Sequence, residues 1–576
     1  MRDARGSAGR DERRGWLRRV LGAIRGGLST RTVAGAAGIV AAGFLASRVL
    51  GLLRSVAVAE AFGTEPELGA YFVAFRVPDL IFQLLAGATL SAAFIPTFSR
   101  VVLDGGEREG WRLASSVLNL ISVATFAAAA LAFVLAPLVV PLLAPGLGEA
   151  SGREAELRDL AVELTRLMLL SPLLFGISGM VTGILNARQH FLAPAVAPLF
   201  YNLGIIFGAL VLAERWGVHG LAWGVVLGSV GHLLVQLPAL RAVGMRWQPS
   251  FDVASAGVRE VLRLMGPRVL GLAAGQVNLV VVVFFASFVS DEAISAVNFA
   301  FLMMLLPVGV IGMAISTAAF PVLARQAAAG QLERLGQSLQ ATLRMILFLA
   351  VPASVGLVLL GEPAVRLLLQ RGAFDADSTQ LVVDALVIYG LGVWAHAAIE
   401  IVSRGFYALS DTRTPVAVAV AAMLLNVALC AALVAPFGIA GLAAAASVSA
   451  VVEFALLLRA LRRRLGPRSG LGLLAWGGTA GLGGSLLRTA AATVVMAQVM
   501  VLLLILLRAA GASPQELLGA LMLLLFGGAG GLLAFLAAAA LLGSAEYRVA
   551  ADAAAGLAAS GLAALRGSRG GPLAGG

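Results

Sequence analysis

Long apolar runs separated by short polar segments dominate the chain from about position 33 to about position 543. At 1.5 Å per residue, a helical run of about 20 apolar residues crosses the roughly 30 Å hydrocarbon core of a bilayer. Windows of about 19 residues give spans near 33–58, 68–98, 113–144, 160–186, 193–213, 219–240, 260–289, 294–322, 342–369, 380–408, 415–436, 438–459, 486–508 and 515–543. The pattern predicts an all-α polytopic membrane protein with about 14 transmembrane helices.

Composition agrees: hydrophobic residues make up 60% of the 576 positions and charged residues 13%, against about 45–50% and about 25% in soluble domains. No lysine is present, so all 42 basic residues are arginines; with 31 acidic residues the net charge is +11. The arginines do not form one basic face of the kind that binds nucleic acid. They cluster in alternate loops, at Arg100, Arg108 and Arg112, at Arg188, at Arg241, Arg246, Arg259 and Arg263, at Arg325 and Arg334, at Arg404 and Arg413, and from Arg459 to Arg468. The intervening segments EAFGTEPELG, VSDE and APFG have none. By the positive-inside rule both termini are expected in the cytoplasm. RRGWLR within residues 1–32 resembles a twin-arginine signal only weakly, and a retained basic tail is expected instead. Cys430, the single cysteine, can form no intrachain disulfide.

The spans repeat. Arg48-Val49-Leu50-Gly51-Leu52 recurs as Arg268-Val269-Leu270-Gly271-Leu272, 220 positions on (268 − 48), and GVHGLA at Gly217 recurs as GIAGLA at Gly438, 221 on (438 − 217). AFIPTFSR answers AAFPVLAR, Asn202 answers Asn426, and Ala239-Leu240-Arg241 answers Ala460-Leu461-Arg462. Matches in one order at a nearly constant offset predict two parallel six-helix bundles, 33–244 and 245–465. A linker with a C-terminal helix pair at 466–543 and a cytoplasmic tail at 544–576 would follow.

Polar residues inside the spans mark the chemistry. An arginine facing lipid costs on the order of 2.5–3.5 kcal/mol by insertion scales, so one inside a helix is expected to face a cleft. Arg48, Arg54, Arg76 and Arg268 are the candidates for gripping a substrate. The planar guanidinium suits phosphate oxygens, which makes a diphosphate the natural ligand. For Arg54 snorkelling competes with that reading, and for Arg268 a role at the cytoplasmic interface. Asp79, Gln276, Asn278, Asp384, His396 and Glu400 are candidates for ion coupling or for a polar cleft; interhelical hydrogen bonds or salt bridges would explain them equally. His396 and Glu400, at i and i+4, should share a helix face, whereas Asp384, twelve residues before His396, need not. Enzymatic readings lack their residues: a P-loop needs a lysine, and four histidines with one cysteine give no zinc spacing. No cofactor is implied.

SRVLGLLR (Ser47 to Arg54), AYFVAFRVPDLI (Ala70 to Ile81), LSAAFIPTFSR (Leu90 to Arg100) and RGFYALSDTRTPV (Arg404 to Val416) together resemble the MviN/MurJ family of lipid II flippases, within the superfamily of multidrug and polysaccharide exporters. The resemblance covers about 33–543. It implies flipping of undecaprenyl-diphosphate-linked peptidoglycan precursor by alternating access, with membrane lipids and a candidate coupling cation as further partners. Arg48 and Arg54 match the family's diphosphate-gripping arginines, and the last helix pair would form a groove for the polyprenyl tail. Departures from the family pattern are Gly69 at the place of an acid, Phe82-Gln83 and Ala86-Gly87 at the places of an arginine pair and Glu-Gly, Leu302 at the place of an arginine, and no acid in QVNLVVVVFF. Export of another lipid-linked glycan, secondary antiport and a non-transporting scaffold are the alternatives.

Overall fold

The computed structural model describes residues 33–85, 88–466 and 481–552, and no strand occurs among them. The helices are α1 Val33–Phe62, α2 Pro66–Leu85, α3 Ala88–Leu143, α4 Glu154–Ala187, α5 Leu192–Trp216, α6 Val218–Ala242, α7 Ala256–Ala286, α8 Ala293–Ala328, α9 Leu332–Leu369, α10 Ala376–Ala408, α11 Arg413–Leu465, α12 Leu482–Ala509 and α13 Leu517–Leu541. Among the described residues 12 helices are long and apolar enough to cross a membrane. Two of these are broken internally, α3 at Gly106 (φ 78, ψ 179) and α11 at Gly438 (φ 53, ψ −129). Helix α7 adds a shorter apolar stretch at Gln276–Ala286.

By packing the chain divides after Val280. In the first unit, glycines let α5 and α6 approach closely. A Cβ at Gly204 would lie 2.3 Å from the Gly228 Cα, and one at Gly208 2.6 Å from the Gly224 Cα. Small residues serve this purpose where lipid gives helices no hydrophobic reason to associate. The arginine-rich end of the unit is tied by charge: Arg188 donates to Glu107 at 2.8 Å, Arg112 pairs with Asp252 at 3.1 Å, and Arg100 pairs with Glu260.

The strap between α6 and α7 is pinned to α3. Trp247 Nε1 donates to Asn119 Oδ1 at 3.0 Å, and Asn119 Nδ2 donates to the Gln248 and Ser250 carbonyls at 3.1 and 2.9 Å. Val258, Val261 and Met265 of α7 join Phe94, Phe98 and Trp111 of α3 in one core cluster. Packing thus groups 245–280 with the first bundle although the repeat assigns them to the second. Contact and internal homology divide the chain differently.

In the second unit, Leu339, Leu343 and Ile346 of α9, Ile401 and Phe406 of α10, and Leu457 and Leu461 of α11 share a buried cluster. Helices α12 and α13 pack on α9 through Phe348, Met496, Met500 and Phe535. Beyond α13, Glu546 accepts from Arg344 Nε at 2.5 Å, Ser485 Oγ at 2.8 Å and Ser544 Oγ at 2.8 Å. Burial pushes the Glu546 carboxyl up, but these donors and its own backbone hold it below its ordinary value.

The backbone repeats as the sequence does. Gln189 and Ser410, both non-glycine residues at φ 58, stand 221 apart (410 − 189), and Gly244 (φ 76) and Gly466 (φ 80) stand 222 apart (466 − 244). Within RGFYALSDTRTPV, Asp411 Oδ1 accepts from the Arg413 and Thr414 amides at 3.1 Å each, and Oδ2 from Arg464 Nη1 at 2.7 Å. These amides open α11, so Asp411 caps it. Hydrogen bonds from Thr414, then the Arg464 charge, hold the Asp411 carboxyl below its usual range.

Candidate functional site in the first bundle

Helix α2 carries Tyr71, Phe75, Asp79 and Gln83 at steps of four, which stacks them along one face. The Tyr71 and Phe75 rings stack at 6.0 Å, and Gln83 donates to the Asp79 carboxylate. Arg76, three residues before Asp79, interacts with it electrostatically. From α1, half-buried Arg54 reaches the fields of Tyr71 and of Tyr201 on α5; Tyr201 also feels Tyr71 and Asp79. Electrostatics thus couples Arg54 of α1 and Tyr71 and Asp79 of α2 to Tyr201 of α5, and Arg76 to Asp79 within α2. A guanidinium and two phenols within one another's fields offer donors suited to an anion with several oxygens.

The cluster is backed by aromatic rings and a second polar network. Tyr201 meets Phe175 edge to face at 5.0 Å, and Phe175 meets His232 in the same way at 5.2 Å. Buried Ser178 lies 2.6 Å from His232 Nδ1 and accepts from Gln236 Nε2 at 2.7 Å, while Thr182 donates to Gln236 at 2.9 Å. These bonds lock α4 against α6 behind the cluster.

Arg48 stands apart from it. Its guanidinium is exposed, 5.0 Å over the Phe44 ring, and Phe44 also lines a cavity of about 600 Å³ with Ser47, Ile95, Thr182 and Asn186. At position 43 the neighbouring helix closes in: a Cβ on Gly43 would lie 2.8 Å from the Ala195 carbonyl oxygen. Helix α1 is therefore seated on α5 along a strip that leaves Arg48 pointing away.

Position 268 is helical within α7, but the Arg268 side chain lies outside the described residues, as do Ala86 and Gly87. Gln276 and Asn278 are half-buried on α7. In the second unit the expected polar residues do not assemble. Asp384 is exposed and accepts from Gln380 at 2.7 Å, and Glu400 pairs with Arg404 at 2.7 Å, which also donates to Thr317 at 3.0 Å. His396 Nε2 is buried with no hydrogen-bond partner among the described residues. The i, i+4 partner of Glu400 is Arg404 rather than His396, because an opposite full charge at that spacing outbids a neutral imidazole. Among the described residues no group of three or more His, Cys, Asp or Glu side chains could hold a metal ion.

Tyr71, Tyr201 and His232 escaped the sequence reading. Their signal is scarcity: the chain has five tyrosines and four histidines, and a polar ring inside an apolar span needs a partner.

The sequence profile of the lipid II flippase MurJ family matches residues 58–523. A probable lipid II flippase MurJ of Rhizobium tropici is 33% identical over 435 residues, covering 73% of this chain and 79% of its own. The lipid II flippase MurJ of Burkholderia cenocepacia is 30% identical over 426 residues, covering 73% and 82%. Among solved structures, a lipid II flippase MurJ in an inward closed conformation superposes with a TM-score of 0.72 at 23% identity, covering 87% of this chain and 98% of its own. An inward-facing multidrug resistance MATE transporter of the MOP superfamily gives 0.61 at 16% identity, covering 73% and 94%. These two structures speak for the fold alone. By sequence and profile, the chain belongs to the lipid II flippase MurJ family.

Proposed function

We propose that this protein moves lipid II, the undecaprenyl-diphosphate-linked peptidoglycan precursor, from the inner to the outer leaflet of a bacterial inner membrane by alternating access. What supports this reading is membership of this family together with the electrostatic coupling of Arg54, Tyr71, Asp79 and Tyr201, and of Arg76 with Asp79, among helices of the first bundle. Exposed Arg48 makes first contact with the diphosphate, and Arg54 with its tyrosines receives it. Each charge-assisted contact contributes about 1.5–3 kcal/mol. Asp79 offsets the surplus positive charge while the cluster is empty, and it is the acid through which a coupling cation would act. Arg268 is proposed as a further contact from α7, and the apolar faces of α12 and α13 as the rest for the polyprenyl tail. Both termini lie in the cytoplasm.

Complementation of a strain depleted of its own lipid II flippase tests this. Growth should return with the wild-type chain, fail with Arg48→Ala at equal membrane level, and return in part with Arg48→Lys, since a point charge cannot reproduce bidentate phosphate contact. A wild-type chain that reaches the membrane and leaves growth unrestored overturns the reading.

A further inference from the structure

Helix α4 enters the bilayer through a polar first segment whose exposed side includes Glu154, Glu156, Asp159 and Glu163. Arg166 follows one turn after Glu163, and no charged residue comes after it as far as Ala187. It therefore sits where headgroups give way to acyl chains, the level of lipid phosphates. Its neighbours Arg153 and Arg158 are neutralised by Glu67, Glu156 and Glu154. No carboxylate pairs with Arg166 among the described residues. Its Nε donates to the Phe133 carbonyl at 3.2 Å with the Cζ 5.0 Å over the Phe133 ring, and its Nη groups meet no protein acceptor there.

Below Arg166 runs an open groove of about 490 Å³ between α3 and α4. Phe126, Ala130 and Phe133 line one wall at helical spacing, and Leu170 and Leu173 the other. Phe126 and Phe133 are 63% and 48% exposed, so nothing among the described residues covers the groove. Moving from Arg166 to Leu173 on α4, and from Phe133 to Phe126 on α3, leads about two turns deeper into the hydrocarbon on both walls. A cation at headgroup level above an apolar furrow complements one molecule: an anionic phosphate diester with an acyl chain attached.

We propose that the α3–α4 groove is a phospholipid site, with the phosphate held by Arg166 and an acyl chain along Phe126, Phe133, Leu170 and Leu173. It is distinct from the Arg54 cluster and does not depend on what that cluster carries. An arginine that merely snorkels beside Phe133 would show no lipid dependence.

The test uses the purified full-length protein in a delipidating detergent, with native mass spectrometry during titration of phosphatidylglycerol and, in parallel, of phosphate-free diacylglycerol. Wild type should hold one phosphatidylglycerol more tightly than the rest. Arg166→Gln should weaken that binding at least fivefold and leave diacylglycerol unchanged; Arg166→Lys should retain most of it. Ala130→Trp, which fills the groove from the lipid-facing side, should abolish it with Arg166 intact, and so gives a second readout if Arg166→Gln proves unstable. The proposal is overturned if both variants bind phosphatidylglycerol as wild type does, if inorganic phosphate at equal concentration displaces the lipid, or if Arg166→Gln weakens undecaprenyl diphosphate binding and spares phosphatidylglycerol.

Discussion

Gly217 and Gly438 hold nearly the same backbone conformation, φ 52, ψ −137 and φ 53, ψ −129, at the hairpins that close the fifth and sixth helices of each repeat. Positive φ with ψ far below zero is a region that residues bearing a Cβ avoid. The chain turns there between two antiparallel helices within a single residue. Both GVHGLA and GIAGLA keep glycine for that reason.

Gly217→Ala and Gly438→Ala should each cost about 1–3 kcal/mol. An added Cβ would meet nothing within 4 Å at Gly217 and only Val289 Cγ1, at 3.4 Å, at Gly438, so the cost is backbone strain rather than collision. Thermal unfolding of the purified variants should show two separate, additive losses. A silent change at either position contradicts the shared conformation.

Glu546 fastens the last helix pair to α9. Its side chain is 4% exposed and that of Arg344 12%. Removing one partner of a buried pair leaves the other uncompensated, so Glu546→Ala should cost on the order of 3 kcal/mol. The folded carboxyl titrates below its ordinary value. Its contribution is therefore complete above about pH 4.3 and is lost as pH falls through the lowered value. The gap in melting temperature between wild type and Glu546→Gln should be constant from neutral pH to about pH 5 and narrow as pH falls below about 4.3. A gap that widens on acidification would reverse the sign.

The proposed orientation rests on which loops hold the arginines. Thr64 is buried, so exposed Ser151 and Ala376 report better on the side proposed to face out, and exposed Ser410 on the other. With buried Cys430 replaced, Ser151→Cys and Ala376→Cys should react with a membrane-impermeant thiol reagent in intact cells, and Ser410→Cys only after permeabilisation. Labelling of Ser410→Cys in intact cells would invert the topology.

The helices, their arginine-marked ends and the repeat were legible because each leaves a local trace: an apolar run, a charge, a glycine at a fixed offset. The break at Gly106 falls in the gap between the expected spans 68–98 and 113–144, and the break at Gly438 where 415–436 gives way to 438–459. The pairing of residues 245–280 with the first bundle depends on Asn119, Trp247 and Met265, which show nothing of one another in sequence. At the candidate site the charged members Arg54, Arg76 and Asp79 stood out against apolar spans. Tyr201 did not, because only folding sets it beside residues more than a hundred positions earlier. Glu400 was legible as an acid within a span but not as the partner of Arg404, since His396 stands at the same spacing on its other side.

Lipid II reaching the outer leaflet is the quantity that matters most. It can be read in spheroplasts of a flippase-depleted strain, from the product of a membrane-impermeant enzyme that cleaves exposed lipid II, at matched membrane levels of wild type, Arg54→Gln and Tyr201→Phe. Wild type should expose lipid II. Losing one charge-assisted contact of about 1.5–3 kcal/mol should make Arg54→Gln at least tenfold slower, with Tyr201→Phe intermediate. No exposure by wild type, or equal exposure by wild type and Arg54→Gln, would contradict a diphosphate-gripping cluster in the first bundle.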